Sequence, residues 1–352
     1  MKFILAKPAE SSFIREDEKI LASLGALDSI PLKQNMGAIP YLLGMLQMAF
    51  KILVCRKDTK VLIWFADYHA AVAVMVCRLR NLKSYLFVGG YDAICYPELK
   101  MGVFCRPWRA ACARFALNHT GHIIANHESL LKSSNYYYSA QGHPDGVISF
   151  IPELKTPCSV VYNSVSFTES PNLDRIRKQQ VLCVGVTPRL QDFVNKGYDL
   201  LIEVCRAMPQ AQFIFVGIKS CWKDELEVTY RLSEPSNLKI ISWLEQNDLH
   251  RLMEETAVYV QASISEGMPN ALMEAMYYGC FPVGSNVAGI PTVMGEYGIV
   301  VKHRSVAELK TAITLALEQT IDRCAVSKSV SQRLSPQIRA QRITEILNDE
   351  KD

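Results

Sequence analysis

Short apolar runs alternate with segments of helical periodicity along nearly the whole chain, and this alternation constrains the fold more than any other feature. Continuous apolar runs are typical of strands buried on both faces, and helix-period segments between them are typical of crossovers in parallel sheets. The predicted strands fall into two series, residues 3–6, 61–65, 84–88 and 122–125, then 181–186, 213–216, 239–242, 258–262 and 281–284. Because the series restarts, the sequence predicts an α/β fold with two doubly wound parallel sheets.

Composition marks a boundary between the two series. The region around residues 151–171 is rich in Pro, Ser, Thr and Asn, and includes Pro152, Pro157 and Pro171. Such a composition is typical of a linker, and a chain of 352 residues is long enough for two domains. We place the linker at residues 165–172, which gives predicted domains of residues 1–166 and 167–335.

Charge and cysteine usage exclude several classes of protein. The chain has 38 Lys and Arg against 35 Asp and Glu, a net charge of +3. A nucleic-acid-binding protein normally has a stronger basic excess, so no nucleic-acid partner is predicted. The 11 cysteines have neither C-x-x-C nor Cys/His spacing, so neither a zinc site nor a disulfide framework is predicted. The first residues lack a signal peptide's apolar core, and no apolar run is long enough to span a bilayer, so we expect a cytoplasmic protein.

The segment at residues 258–284 has the pattern strand, loop, helix. Its predicted helix starts with Pro269 at the first helical position and stops before Gly279, which follows the usual preference for Pro at a helix start and Gly after its end. The helix start leaves the N–H groups of Asn270, Ala271 and Leu272 without intrahelical partners, at the positive end of the helix dipole. Because such a loop lies at the carboxyl end of a parallel strand, the segment predicts a phosphate site.

Two carboxylates, Glu266 and Glu274, flank this helix start. Taken as helical, their separation would put them on one broad face, about 12 Å apart along the axis. We expect them to bind two hydroxyl-bearing parts of one elongated ligand, with its phosphates between them. The alternative for either residue alone is an acid in the first turns of a surface helix.

The same segment resembles the donor-site signature of family 4 glycosyltransferases, which have the GT-B fold. The matching residues read S-E-G-x-P-N-A-L-x-E-A at positions 265–275. The similarity covers most of the C-terminal half and includes Gly185, Arg189, Lys196, Gly197 and the Phe215-Val216-Gly217 run. The linker match is less complete, because Ser164 and Ser166 replace the family's usual Gly and Asp.

This resemblance implies roles for individual residues. Arg189 and Lys196 would neutralise the leaving nucleoside diphosphate, while Glu266 would bind hydroxyls of the transferred sugar and Glu274 the ribose. The backbone of the intervening loop and helix start would hold sugar and phosphate, through Gly267, Met268, Pro269, Asn270, Ala271 and Leu272. The base-contacting turn would comprise Ser242, Trp243 and Leu244, although Ser242 replaces the family's glycine.

The resemblance also implies an architecture and a chemistry. Two Rossmann-like domains would face each other across a cleft, and a last helix within residues 336–352 would pack back on the N-terminal domain. The donor would be a UDP- or GDP-linked sugar, transferred with retention of anomeric configuration. No D-x-D motif occurs in the chain, so we predict no metal and no cofactor, with the helix dipole, Arg189 and Lys196 supplying the electrostatic stabilisation.

The predicted N-terminal, acceptor-binding domain departs from the family pattern. The first loop lacks the usual glycine pair, and a later strand ends in Val88-Gly89-Gly90-Tyr91-Asp92, with Asp92 where relatives place a histidine. Asp92 is therefore a candidate proton acceptor or hydroxyl-binding residue, the alternative being an ordinary turn acid after a buried strand. His127 is interpreted as part of a capped first turn beside Asn126 rather than as a catalytic residue.

Two segments bear on membrane contact. The predicted helix at residues 105–118 interleaves Arg106, Arg109 and Arg114 with Trp108 and Phe115, and residues 40–55 are strongly apolar. A basic aromatic helix can lie on an anionic membrane surface on the cytoplasmic face, as a lipid-linked acceptor would require. The alternative is a crossover helix whose arginines extend along an apolar surface to reach water.

The function that follows from the resemblance is transfer of a sugar from a nucleoside diphosphate to a saccharide or lipid-linked saccharide, in cell-surface polysaccharide biosynthesis. Two alternatives stay open, a catalytically silent GT-B subunit that binds a partner or nucleotide, and another GT-B enzyme such as a sugar-nucleotide epimerase. A dinucleotide dehydrogenase is disfavoured, because no G-x-G-x-x-G follows a strand.

Overall fold

The computed structural model describes residues 1–167 and 169–349, and the chain divides into two compact units. The first unit comprises Met1–Ser133, Pro144–Ser166 and the residues from Leu334 onward, and the second comprises Ser134–His143 and Phe167–Arg333. The predicted boundaries differ in leaving residues 134–143 in the first domain. Thr168 of the predicted linker and residues 350–352 of the predicted last segment lie outside the described residues.

The first unit is built on a six-stranded sheet in the order β2-β1-β3-β4-β5-β8, with every neighbouring pair parallel. Its strands are β1 (Lys2–Lys7), β2 (Ala26–Pro31), β3 (Thr59–Trp64), β4 (Ser84–Val88), β5 (His122–Ala125) and β8 (Cys158–Val160). A separate two-stranded sheet pairs β6 (Ser133–Asn135) with β7 (His143–Asp145).

Helices cover both faces of the first sheet. They are α1 (Ser12–Leu24), α2 (Ala38–Val54), α3 (Tyr68–Arg80), α4 (Pro107–His119), α5 (Val147–Phe150) and α14 (Pro336–Asn348). Buried residues of α2, α3 and α4 share one apolar cluster, whereas those of α1 and α14 share the other. Helices α2 to α4 therefore form one layer, and α1 and α14 lie on the opposite face.

The second unit repeats this plan with a parallel sheet in the order β11-β10-β9-β12-β13-β14. The strands are β9 (Lys178–Val184), β10 (Gln212–Val216), β11 (Leu238–Ile241), β12 (Thr256–Gln261), β13 (Phe281–Ser285) and β14 (Ile299–Val301). The helices are α6 (Gln191–Asn195), α7 (Tyr198–Ala207), α8 (Lys223–Tyr230), α9 (Gln246–Glu254), α10 (Asn270–Tyr277), α11 (Ile290–Met294), α12 (Val306–Glu318) and α13 (Arg323–Arg333). Single 3-10 turns occur at Gln34–Met36, Tyr91–Ala93, Val103–Cys105, Glu128–Leu130 and Ser220–Trp222.

The predicted fold class, two doubly wound parallel sheets, is confirmed. All nine predicted strands are present within a few residues of their expected bounds. The sequence prediction missed β2 and β14, which lie at sheet edges, as well as the short β6 and β7. It expected a linker strand at residues 160–163, whereas the edge strand β8 spans Cys158–Val160. Edge strands bury less of their surface, and β8 and β14 have only three residues each, so none of them shows the continuous apolar run of a central strand.

Helix α14 is held on the first unit by a buried ion pair. The guanidinium of Arg339 donates to both carboxylate oxygens of Asp17 in α1, at 2.6 and 2.9 Å, and also to the carbonyl oxygens of Val161 and Tyr162. Ile343 and Leu347 of the same helix are buried in the apolar cluster of this face. In the part of the chain that the structure describes, no helix is both long and apolar enough to cross a membrane.

Candidate functional site

The strand-loop-helix segment lies in the second unit. Strand β12 ends at Gln261 and α10 begins at Asn270, so Pro269 is the N-cap residue rather than the first helical residue as predicted. Pro269 has an extended backbone (φ −77°, ψ 114°), and its carbonyl accepts the first helical hydrogen bond, from Met273 N–H at 3.3 Å. The helix ends at Tyr277, and Gly279 follows in the left-handed region, with φ +83°.

Glu266 is the centre of a polar cluster at the carboxyl end of β12. Its Oε1 accepts hydrogen bonds from Lys196 Nζ at 2.5 Å, from Ser263 Oγ at 2.9 Å and from Gln261 Nε2 at 3.2 Å. Gln261 Oε1 in turn accepts from the buried Tyr259 hydroxyl at 3.0 Å. These contacts give the carboxylate one orientation, and its side chain stays 13% exposed.

Lys196 brings a largely buried cation to the same loop. Burial alone would lower the pKa of this amine, but the charge and hydrogen bond of Glu266 outweigh burial and raise the pKa above its usual value. The amine is therefore held in its charged form. Gly197 must follow it, because its backbone is left-handed at φ +76° and a side chain there would collide with the Ala262 carbonyl.

Asn195 and Asn135 hold the loop that contains Glu266. The side chain of Asn195 accepts from Ser265 N–H at 3.1 Å, and its carbonyl accepts from Ile264 N–H at 2.8 Å. From the segment 134–143, Asn135 donates to the Ile264 carbonyl at 2.7 Å. The Asn135 bond ties that segment to the second unit.

Arg189 lies after β9, as Lys196 does, but its guanidinium is turned onto Asp192. Nε and Nη2 donate to the two oxygens of Asp192 at 3.1 and 2.6 Å, and the Arg189 backbone N–H donates to the same carboxylate at 2.9 Å. The Arg189 side chain is 42% exposed. Its remaining N–H groups are thus oriented by Asp192, which the sequence interpretation did not include.

Glu274 lies in the second turn of α10, and its side-chain carboxyl has no hydrogen-bond or ion-pair partner among the described residues. Burial raises its pKa to about 7. Because α10 begins only at Asn270, Glu266 lies outside the helix, so the helical spacing assumed for the two carboxylates does not apply. A half-buried carboxyl without a partner, close to a helix start, is positioned to accept hydrogen bonds from a hydroxyl-bearing ligand.

The remaining predicted donor residues differ in exposure. Leu272 and Met268 are buried, whereas Ala271 is half-buried, and Gly267 accepts a hydrogen bond from Gly289 N–H at 2.9 Å. In the predicted base-contacting turn after β11, Ser242 and Trp243 are exposed and Leu244 is half-buried. Ser242 also lines a cavity of about 460 Å³ between α8 and β11.

Asp92 lies in a buried turn of the first unit. In the first unit, its two oxygens accept hydrogen bonds from the backbone N–H groups of Ala66, Gly89 and Gly90, each at 3.0 Å. The residue is fully buried, and burial raises its pKa to about 6 despite these bonds. This geometry favours the alternative interpretation, a turn acid that joins the loops after β3 and β4.

His127 is a capping residue. Its Nδ1 accepts from Ser129 N–H at 3.2 Å at the start of the 3-10 turn, so His127 itself, rather than Asn126, is the cap. Across residues 1–167 and 169–349, no group of three or more His, Cys, Asp or Glu side chains is arranged to hold a metal ion.

Sequence reasoning identified the charged residues of the cluster but missed the polar residues that position them. Gln261, Ser263, Asn135 and Asp192 carry no motif of their own. Asn195 could have been found, because it directly precedes Lys196 in the matched pattern and an amide there can bind a neighbouring loop.

Comparison with known proteins finds similarity in this region. Residues 178–319 match the family model of Glycosyl transferases group 1. The chain is 27% identical over 210 residues to a subunit of human phosphatidylinositol N-acetylglucosaminyltransferase, covering 58% of this chain and 40% of that protein. It is also 27% identical over 238 residues to an uncharacterized 41.2 kDa protein in the cps region of Klebsiella pneumoniae, covering 64% and 59%. The chain thus spans about half the length of these relatives.

Solved structures agree with the observed architecture. The Anabaena HepE structure in complex with UDP and glucose superimposes with a TM-score of 0.67 at 15% identity, over 99% of this chain and 100% of that one. Sucrose-phosphate synthase from Thermosynechococcus elongatus gives a TM-score of 0.70 at 13% identity, over 99% and 98%. The chain therefore has the GT-B fold, and its residues 178–319 are similar to the Glycosyl transferases group 1 family.

Proposed function

We propose that the chain transfers a sugar from a nucleoside diphosphate donor to a saccharide or lipid-linked saccharide, in cell-surface polysaccharide biosynthesis. The observation that carries this proposal is the Lys196–Glu266 pair at the carboxyl end of β12, beside the start of α10. A charged amine and a helix N-terminus favour an anionic group, while a fixed carboxylate favours a hydroxyl donor. A sugar linked to a diphosphate presents both.

The donor half supplies the electrostatics that such a transfer needs. As the bond between sugar and diphosphate breaks, negative charge grows on the leaving phosphate, and Lys196, Arg189 and the N–H groups at the start of α10 stabilise that charge. The phosphate competes with Glu266 for the Lys196 amine. Glu266 then exchanges the amine for hydroxyl donors of the transferred sugar.

The other end of the donor is assigned to Glu274 and the turn after β11. Glu274 has no protein partner among the described residues, so ribose hydroxyls are suited to satisfy its oxygens. Trp243, at 67% exposed, offers an aromatic face to the base. A UDP- or GDP-linked sugar is the donor class, and the UDP in the Anabaena HepE structure supports the first of these.

The acceptor and the stereochemistry rest on the family resemblance. Retention of anomeric configuration, the narrower family 4 assignment and independence of a metal ion are proposals of this kind. A lipid-linked acceptor would bring the protein to an anionic membrane on its cytoplasmic face. Asp92 is proposed to position the Gly89–Gly90 loop of the first unit rather than to touch substrate.

The first test is a thermal-shift screen of UDP- and GDP-sugars, followed by turnover of the best ligand with candidate acceptors. Glu266→Ala should abolish transfer with the fold intact. Glu318→Ala, an exposed acid at the end of α12, is the matched control and should leave turnover unchanged. Near-normal transfer by Glu266→Ala would refute the role of Glu266.

The same experiment separates the alternatives. Nucleotide binding without turnover of any acceptor would indicate a catalytically silent protein. Release of an epimerised sugar without transfer would indicate an epimerase.

A further inference from the structure

The outward side of α2 is apolar along its whole length. The exposed positions are Ile39, Leu42, Leu43, Leu46, Phe50, Leu53 and Val54, between 49% and 74% exposed. At the helical repeat they occupy one arc of about 120°, and the stripe is about 22 Å long. The buried residues Tyr41, Gly44, Met48 and Ile52 occupy the opposite side. Helix α2 therefore presents apolar side chains both to the core and to its surroundings.

The neighbouring helices extend this surface. Met75 and Leu79 of α3 are exposed, and Trp108 at the start of α4 is 80% exposed. The C-terminal ends of α2 and α3 are joined, because Arg80 donates to the carbonyl oxygens of Leu53 and Cys55, the latter at 3.0 Å. We call the outward surface of α2, α3 and α4 the apolar-basic face.

Charge on this face has one sign. None of the three helices contains an Asp or Glu, whereas together they carry Lys51, Arg78, Arg80, Arg109 and Arg114. The nearby acids are engaged, since Asp28 binds Lys51, Asp58 binds Arg56 and Asp67 binds Arg109. Arg78 and Arg106 are exposed and form no ion pair among the described residues.

We propose that the apolar-basic face docks on an anionic lipid bilayer, with α2 lying in the plane of the interface and its exposed Leu and Phe side chains entering the acyl boundary. An apolar stripe flanked by cations matches the surface of such a bilayer, which offers hydrocarbon beneath negative headgroups. A symmetric dimer through this face would instead bring two sets of like charges together. Lipid is therefore the occupant that the charge pattern favours.

The sequence indicated the helix at residues 105–118 as the membrane contact, whereas the structure indicates α2. Of the three arginines around α4, Arg109 is tied to Asp67 and lies over the Tyr68 and Tyr91 rings, so it is not available to lipid. The continuous apolar stripe belongs to α2. This docking does not depend on sugar transfer, because it can be measured without any donor or acceptor.

The test is flotation of the full chain with vesicles of phosphatidylcholine alone or of phosphatidylcholine and phosphatidylglycerol in equal parts. The variant Leu43→Ser/Leu46→Ser/Phe50→Ser should lower the partition coefficient for the mixed vesicles by at least about 100-fold, since each buried side chain contributes strongly to binding. The matched control, Ile176→Ser/Val228→Ser/Leu315→Ser, removes exposed apolar side chains from the second unit and should bind like the unchanged chain.

Charge is tested separately with Arg78→Gln and Arg106→Gln, each expected to weaken binding to the mixed vesicles by about fivefold, an effect that salt reduces. Circular dichroism and the thermal midpoint check that all variants are folded. The proposal would be overturned if the chain floated with neither kind of vesicle. It would also be overturned by a lipid-free dimer, seen by light scattering, that the α2 variant dissociates, because that result would make a second copy the occupant.

Discussion

Nζ of Lys196 lies 2.5 Å from Oε1 of Glu266, across 70 residues of sequence. Lys196 follows α6 and Glu266 follows β12, so the contact joins the two most informative motifs of the second unit. The pair keeps an amine charged and a carboxylate oriented before any ligand arrives. In the proposed function, the donor phosphate competes with Glu266 for this amine, and the competition would link donor binding to the release of Glu266.

Double-variant analysis should reveal this coupling. We expect Lys196→Met and Glu266→Gln each to lower the free energy of unfolding by about 2 kcal/mol, because each leaves the remaining, partly buried charge without its partner. The double variant should lose less than the sum of the two single losses. Urea unfolding measures all three. Lys178→Met and Glu255→Gln break a more exposed pair at 2.6 Å and should each cost under about 1 kcal/mol. Strict additivity at Lys196 and Glu266 would contradict the coupling.

Glu274 should make stability depend on pH. Its folded pKa of about 7 lies above the ordinary value of 4.5, so the folded chain binds this proton more tightly than the unfolded chain. The contribution of Glu274 to the free energy of unfolding is therefore expected to be fully present below pH 4.5 and to be lost, by up to about 3 kcal/mol, as the pH rises to about 7. Unfolding of Glu274→Gln at several pH values should lack this contribution. An identical pH profile in the variant would show that Glu274 titrates normally.

A variant of Asp92 can show whether this residue positions a loop or acts as a general acid or base. Because its carboxylate accepts three backbone N–H groups, Asp92→Asn should lower the free energy of unfolding by about 2 kcal/mol, the amide nitrogen being unable to accept. Turnover by the folded variant should stay within about tenfold of the unchanged chain, whereas loss of a general acid or base costs about 10²–10⁴. A loss in the latter range in a folded variant would identify Asp92 as catalytic.

Local patterns in the sequence were sufficient for the central part of the fold. Strands such as β4 and β12 are buried along their whole length, so they appear as continuous apolar runs. Strand β2 lies at a sheet edge, has Ile30 as its one buried residue and ends in Pro31, so it shows no continuous apolar run. The segment 134–143 was misplaced for another reason, since its position depends on Asn135 binding Ile264, 129 residues away.

In the site, too, residues that are adjacent in sequence could be predicted, whereas their distant partners could not. The loop before α10 and its two carboxylates are contiguous in sequence, so their proximity could be predicted. The partners that fix them are distant along the chain, or, like Asp192 beside Arg189, are ordinary helix-start acids that no motif marks. The solvent exposure of the apolar side chains of α2 could not be predicted from sequence either, because it depends on which of them pack against the rest of the unit.

The proposed independence of a metal ion can be checked directly once a donor is known. If Lys196, Arg189 and the start of α10 stabilise the leaving diphosphate, turnover should be unchanged by excess EDTA and should not rise with added Mg²⁺ or Mn²⁺. The control is a repeat assay after dialysis against EDTA, which removes slowly released ions. Loss of activity that Mg²⁺ or Mn²⁺ restores would contradict the proposal.

The last helix should stabilise the first unit through the ion pair between Arg339 and Asp17, whose side chains are both at most 1% exposed. Arg339→Met leaves the Asp17 carboxylate buried without its cation, so we expect the free energy of unfolding to fall by about 3–5 kcal/mol. Arg339→Met/Asp17→Leu should regain part of that loss, because no isolated charge remains. Arg342→Met, on the same helix but 65% exposed, should change the free energy by less than about 0.5 kcal/mol. Equal effects of the Arg339 and Arg342 variants in urea unfolding would show that α14 contributes through its apolar residues alone.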